Sequence, residues 1–131
     1  MNKINILILV ISLVIFIADI KTFKYSCPNV YPILLIHHIV VMFILFGFLY
    51  SDKTVLLIYL ILPFILVGHW VTNDNNCIIT QIASKQCENA TVYRGFEQTI
   101  FPHLAKNIQF LIISKIIYPV GWLIALYKYI H

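Results

Sequence analysis

Charged side chains are scarce in this sequence: Asp, Glu, Lys and Arg make up only 11% of its 131 residues, whereas 61% are apolar. A soluble domain usually carries about 25% charged residues. A soluble domain of this length could not bury so much apolar side chain, because small folds have a large surface for their volume. The composition therefore predicts a single integral membrane domain, residues 1–131.

Basic runs are also missing, although the formal net charge is +4. The nine Lys and Arg residues are scattered and mostly flank apolar segments, where positive side chains meet lipid headgroups. No aromatic residues alternate with a basic run to form a stacking platform for bases. The charge pattern therefore indicates a lipid bilayer as partner and argues against nucleic acid.

Cofactor motifs are lacking as well. The sequence has no glycine-rich phosphate loop, no nucleophile elbow and no haem-attachment motif, so it predicts no cofactor of those classes. Its three cysteines, Cys27, Cys77 and Cys87, form no CxxC pair, which argues against a zinc ribbon or a thioredoxin-like site. Three states stay open: free thiols, a Cys77–Cys87 bridge if the intervening segment folds back, or a bridge from Cys27 to either of the others.

Four apolar segments are long enough to cross a bilayer as helices, which takes roughly 20 residues. They cover residues 4–20, 30–50, 54–71 and 108–130. In lipid each must be helical, because every backbone N–H needs an internal partner. No small-x-small cleavage site follows the first segment, which favours an anchor over a signal peptide. We therefore predict an all-α fold, a four-helix transmembrane bundle.

The long connection, residues 72–107, also has helical apolar spacing, at Ile78, Ile79 and Ile82 and again at Tyr93 and Phe96. This pattern predicts one or two amphipathic helices on the membrane surface. An even number of spans puts both termini on the same side. We call that side face A, and the side that carries the long connection face B.

The orientation of the two faces in the membrane is open. Five basic residues lie near face B and three near face A, which favours face B in the cytoplasm. Face B also carries every cysteine and the glycosylation sequon at Asn89, which suit an oxidising lumen.

Ionisable residues within the spans gather in the half near face B. Each costs about 2.5–3.5 kcal/mol in the bilayer and usually faces the bundle interior with a partner. Lys115 either extends its charge toward face B or pairs with Asp19 or Asp74. Together with neighbouring loop residues they form the candidate polar cluster: Asp19, His37, His38, His69, Asp74, Cys77, His103 and Lys115.

The densest local pattern begins at His69 and continues through Asp74 and Cys77. It is either an ordinary polar helix end or a site that these residues form with a histidine of the second span. His38, His69 and Cys77 would suit zinc, which binds imidazole and thiolate. However, the sequence has no HExxH motif, and adjacent helical residues such as His37 and His38 point about 100° apart.

The same stretch, His69-Trp70 and then Cys77-Ile78-Ile79-Thr80, resembles a pattern in small, uncharacterised multi-span membrane proteins of bacteria and large DNA viruses. In that pattern a helix-ending His is followed by Cys-x-Leu-Thr. Here Ile79 replaces the Leu, and the Glu that often follows is absent. The resemblance covers about a dozen residues. It implies a multi-span topology and no particular activity.

Three functions compete at this point. The leading one is a non-enzymatic component of a viral or organellar membrane, which associates with other membrane proteins or with itself. The second is a metal-dependent enzyme with its site on face B, at His38, His69, Asp74, Cys77 and His103. The third is a small ion or proton conductor lined by Lys115 and the histidines. An enzyme requires the polar groups of face B within reach of each other, and a conductor requires polar lining in both halves.

Overall fold

The computed structural model describes residues 3–23, 27–73, 78–86 and 116–131, and within these ranges it is all-helical, with no strand. The predicted helical class is therefore confirmed. Two stretches, Lys3–Lys21 and Pro28–Leu49, are long and apolar enough to cross a membrane. The apolar stretch Lys53–His69 is shorter.

Helices α1 (Lys3–Phe23) and α2 (Tyr31–Phe46) pack against each other. A 3₁₀ turn, Pro28–Val30, leads into α2, and a second, Gly47–Leu49, follows it. Proline suits such a start because its missing N–H would have no partner in the first helical turn. We predicted a first span of residues 4–20 with Asp19 near its end, but α1 continues to Phe23.

Helix α3 (Lys53–Thr72) begins directly after a short link, where the Asp52 Oδ1 accepts a hydrogen bond from the Val55 N–H at 3.1 Å. This cap satisfies one of the free N–H groups of the first turn. Pro63 lies inside the helix and removes one backbone hydrogen bond, yet the helix continues to Thr72. The Thr72 hydroxyl bonds to the Gly68 carbonyl at 3.0 Å near the end of the helix.

Helix α4 (Ile78–Gln86) lies within the long connection, where the apolar spacing predicted a helix, and it packs against α2. Helix α5 (Tyr118–Ile130) packs mainly on α3 and on the 3₁₀ turn Gly47–Leu49. The predicted second surface helix and the first part of the predicted fourth span lie outside the described residues.

Candidate functional site: a buried acid–base pair between α1 and α2

Polar side chains are buried between α1 and α2. Ser12 and His38 are completely buried, and Asp19 is 1% exposed. Ser12 and Asp19 share one face of α1 with Ile8 and Ile15, because positions four and three residues apart line the same side of a helix. That face of α1 is packed against α2, so its polar members are removed from the surroundings of the protein.

The centre of this site is a contact between Asp19 and His38. The His38 Nε2 lies 3.0 Å from the Asp19 Oδ2, within hydrogen-bond distance. A buried carboxylate is costly unless it is hydrogen-bonded, and the imidazole supplies such a bond when it donates from Nε2.

The other nitrogen of the same ring is in a different situation. His38 Nδ1 is buried, and no hydrogen-bond partner for it is found among the described residues. The rings of Phe16 and His37 stand edge-on to the imidazole, with centroids 6.3 and 5.9 Å away. Of the two adjacent histidines, the structure thus turns His38 into the helix interface and leaves His37 partly exposed.

Ser12 connects this pair to the backbone of both helices. Its hydroxyl donates to the Ile8 carbonyl at 2.7 Å, one turn back on α1, and lies 3.5 Å from the carbonyl of His38. Side-chain hydroxyls that bond back to the preceding turn are a common way to bury serine in a helix. The short serine side chain lets the backbone of α2 approach α1 next to the acid–base pair.

His69 has a different role from His38. Its Nε2 accepts a hydrogen bond from the Ile78 N–H at 3.2 Å, which fills one of the free donors at the start of α4. A second contact joins the same two helices: the side-chain amide of Asn73, just after α3, donates a hydrogen bond to the Oε1 of Gln81 in α4 at 3.1 Å. The structure therefore uses His69 to fix the corner between α3 and α4.

The proposed zinc ligands His38 and His69 direct their Nε2 atoms to separate partners, Asp19 and Ile78. Within the ranges that the structure describes, no three His, Cys, Asp or Glu side chains come together in a way that could hold a metal ion. The remaining members of the candidate cluster lie outside those ranges, as does the sequon: Asp74, Cys77, His103, Lys115 and Asn89.

Cys27, at the entry to α2, is disulfide-bonded. This finding rules out the state with three free thiols and also a bridge between the other two cysteines that leaves Cys27 reduced. The sequence offers two partners, Cys77 and Cys87, and both lie outside the described residues.

Sequence reasoning selected Asp19 and His38 but missed their pairing. It assigned Asp19 to a helix end and searched for its partner on the fourth span. The available signal was the spacing: Asp19 lies eleven residues after Ile8, three helical turns along the same face. Ser12 was missed because an uncharged hydroxyl in an apolar run gives no signal of its own.

No family model, curated protein or solved structure matches this chain. A function for it must therefore be argued from its own buried pair, its exposed apolar surface and its disulfide.

Proposed function

We propose that this chain is a small polytopic membrane protein that crosses the bilayer four times and acts, without catalysing a reaction, by association with other membrane proteins or with itself. The observation that carries the proposal is the large apolar surface that faces outward while three polar side chains are buried. Ser12, Asp19 and His38 are buried, whereas large apolar side chains face outward, among them Val14, Phe64, Ile65, Val71 and Leu123, which are 60–73% exposed. In water such apolar surface promotes aggregation, whereas in lipid it is solvated.

Helix lengths support the number of spans. The 20 residues of α3 extend about 30 Å at 1.5 Å per residue, which equals the thickness of the hydrocarbon core. Two stretches pass the length and hydropathy test for a membrane span: Lys3–Lys21, within α1, and Pro28–Leu49, which is α2 together with the 3₁₀ turns on either side of it. The fourth span combines α5 with the apolar residues that precede it in the sequence.

The disulfide supports an orientation. Structural disulfides persist in oxidising compartments and are rare where cytosolic reductants keep thiols reduced. The opposing signal is the distribution of basic residues, five near face B and three near face A, which favours face B in the cytoplasm. One of the three near face A, Lys128, donates hydrogen bonds to backbone carbonyls. We give the disulfide more weight than the charge bias, because cytosolic reductants would reduce it in every molecule whose face B lay in the cytoplasm. Face B then lies in the lumen or outside the cell, and both termini lie in the cytoplasm.

The outward face of α3 supports association. Phe64 and Val71 are 68% and 73% exposed, and Gly68 lies between them, one turn from each. A side chain added at Gly68 would meet nothing within 4 Å, so there is open space beside the backbone. Glycines on a lipid-facing stripe allow a second helix to approach closely, and contacts of that kind drive association in membranes. We propose this stripe, Phe64, Gly68 and Val71, as the association surface.

Topology is tested with the full-length protein in sealed vesicles. Tags at the two termini should be digested together by added protease or protected together, and alkaline carbonate should not extract the protein. Tags on opposite sides would contradict the four-span topology. A Cys27 thiol that reacts with maleimide in freshly lysed cells, without a reductant, would contradict the proposed orientation.

Association is tested by Gly68→Ile. We expect the substitution to abolish chemical cross-linking between copies or with neighbouring proteins, because it fills the space that a partner helix needs. The fold should survive, since a Cβ atom at that position would meet nothing within 4 Å among the residues that the structure describes. A matched control is Val14→Leu, on the outward face of α1. Unchanged cross-linking of Gly68→Ile would exclude this surface as the site of association.

A second candidate function is proton conduction. It is favoured by the buried His38 Nδ1, which has no hydrogen-bond partner among the described residues, while the Nε2 of the same ring contacts Asp19. Histidine is well suited to pass protons near neutral pH. The buried residues toward face A are mainly apolar, such as Ile8 and Met42, which gives a monomer no polar path in that half. Proton flux into liposomes that is abolished by Asp19→Asn would favour this candidate. The metal-enzyme alternative depends on Asp74, Cys77 and His103, which lie outside the described residues, and stays a prediction.

A further inference from the structure

A groove with a volume of about 480 Å³ lies between α1, α2 and α3. Its walls are apolar and include Leu9, Val40, Phe43 and Ile58. Asn5 and Tyr50 lie at one end of it and provide its polar atoms. The Tyr50 hydroxyl donates a hydrogen bond to the Asn5 Oδ1.

The groove is lined by about one turn of each of the three helices. Its lining runs from Asn5 to Leu9 on α1, from Ile39 to Phe43 on α2 and from Ile58 to Leu62 on α3, about 6 Å on each helix at 1.5 Å per residue. Its polar end lies toward face A, where the chain passes from α2 to α3 at Tyr50.

Two cations flank the polar end. Lys3 starts α1, two residues before Asn5, and Lys53 starts α3, three residues after Tyr50. Both lysines are exposed. The hydrogen bond between Asn5 and Tyr50 holds the two helix starts at the same membrane surface. A positively charged surface at the mouth of an apolar groove complements a molecule with an anionic head and a hydrocarbon tail.

We propose that this groove binds one acyl chain of an anionic phospholipid, whose phosphate lies beside Lys3 and Lys53. The inference rests on the proposed membrane location and on face A being cytoplasmic. Anionic lipids are concentrated in the cytoplasmic leaflet, where they attract basic residues that lie next to a span. The bound lipid would fill the space between three helices and stabilise their packing.

The test uses the delipidated full-length protein in detergent, titrated with phosphatidylglycerol or with phosphatidylcholine of identical acyl chains. Native mass spectrometry measures the bound lipid, and thermal unfolding measures stabilisation. Two lysines near a lipid surface contribute about 1 kcal/mol each, so we expect phosphatidylglycerol to bind roughly 30-fold more tightly at low salt. Equal binding of the two lipids would overturn the proposal.

Variants distinguish recognition of the lipid headgroup from binding of the acyl chain. Lys3→Gln with Lys53→Gln should remove the preference for phosphatidylglycerol and leave weak binding of both lipids. Ile58→Trp should fill the groove and abolish binding. Its matched control is Ile36→Trp, because Ile36 and Ile58 are each 55% exposed and Ile36 does not line the groove. Wild-type binding by Ile58→Trp would exclude the groove as the site.

These outcomes are independent of the topology experiment. A protein that resists carbonate extraction but binds both lipids equally would retain its membrane location and lose the proposed lipid site. A protein that carbonate extracts would contradict the membrane proposal, whatever its behaviour with lipids in detergent.

Discussion

The interface between α1 and α2 buries an acid–base pair among apolar side chains, whereas the contacts between α3 and the elements around it are largely aromatic. In the first region the Asp19–His38 pair and Ser12 are buried. In the second, the buried ring of Tyr59 packs against Gly47, and its hydroxyl donates to the Ile44 carbonyl at 3.1 Å. Both regions bury polar atoms among apolar helices, but only the first buries an ionisable pair.

This difference bears on what each region contributes. Aromatic packing against glycine allows close helix approach, and in membranes such packing is a main source of association energy. A buried acid–base pair gives less net stability than its geometry suggests, because removing both groups from water offsets much of their attraction. The α1–α2 region therefore carries an acid–base pair beyond what packing alone requires, whereas the polar atoms buried near α3 and α5 belong to the aromatic side chains of Tyr59, Tyr118 and Trp122.

The largest expected effect on stability comes from removing one of the two partners of the acid–base pair. Asp19→Ala leaves the His38 imidazole buried without its Nε2 partner, and His38→Ala leaves a buried carboxylate. We expect a loss of about 3–5 kcal/mol in the free energy of unfolding for removal of one partner. Thermal or denaturant unfolding in detergent measures this. A loss of less than about 1 kcal/mol in both variants would contradict the paired geometry.

The double variant Asp19→Leu/His38→Leu sharpens the same comparison. Replacing both groups by apolar side chains of similar volume removes the desolvation cost together with the bond, so we expect stability close to wild type. If the double variant is stable but loses cross-linking or proton flux, the pair has a functional role. If it is stable and fully functional, the pair is a packing element.

The next effect is in the aromatic region. A Cβ atom at Gly47 would lie 2.3 Å from the Tyr59 Cδ2, which a buried ring cannot avoid without moving the helices. We expect Gly47→Ala to lower the free energy of unfolding by about 1–3 kcal/mol, the usual effect of overpacking a core. Gly68→Ala is the matched control, because its Cβ would meet nothing within 4 Å and alanine is the better helix former. Equal stability of the two variants would contradict the close approach at Tyr59.

Much of the helical fold could be read from the sequence. Apolar length predicted helices over residues 4–20, 30–50 and 54–71, and apolar spacing predicted α4 at Ile78. The structure places α1 at Lys3–Phe23 and α3 at Lys53–Thr72, whereas α2 is shorter than predicted, Tyr31–Phe46, and ends in a 3₁₀ turn. The helix ends were less accurate, because α1 passes through Asp19. A carboxylate in an apolar run favours a helix end unless a partner is known, and the partner, His38, lies on another helix.

The site itself could be predicted only in part. The sequence showed that one of His37 and His38 must face inward, but the choice depends on the rotation of α2, which all its contacts determine together. The groove left no local signal, since Asn5 and Tyr50 are separated by the whole α1–α2 hairpin. The sequence likewise did not show why glycine is needed at positions 47 and 121, because the side chains that approach them, Tyr59 at Gly47 and Phe48 with the Tyr59 hydroxyl at Gly121, lie on other elements.

A smaller effect is expected at Lys128, which joins the two regions. Its Nζ donates to the Phe48 carbonyl at 3.1 Å and the Leu49 carbonyl at 3.3 Å, and also to that of Tyr50. These carbonyls follow the end of α2 and have no helical partner. Lys128→Met should lower the free energy of unfolding by about 1 kcal/mol. The loss is limited because water at the surface replaces part of the hydrogen bonding that the ammonium group gives to these carbonyls. Lys21→Met, at an exposed lysine, is the control and should change stability little.

The smallest expected effects test whether single hydrogen bonds contribute in this environment. Trp122 Nε1 donates to the Leu60 carbonyl at 3.1 Å, and Tyr59 donates to the Ile44 carbonyl at the same distance. Trp122→Phe and Tyr59→Phe each remove one donor, and side-chain hydrogen bonds between membrane helices average about 0.6 kcal/mol. Because both side chains lie between α3 and its neighbours, a double-mutant cycle measures their coupling. Losses above about 2 kcal/mol would mean that the aromatic region, too, depends on its polar atoms, and the contrast with the Asp19–His38 region would disappear.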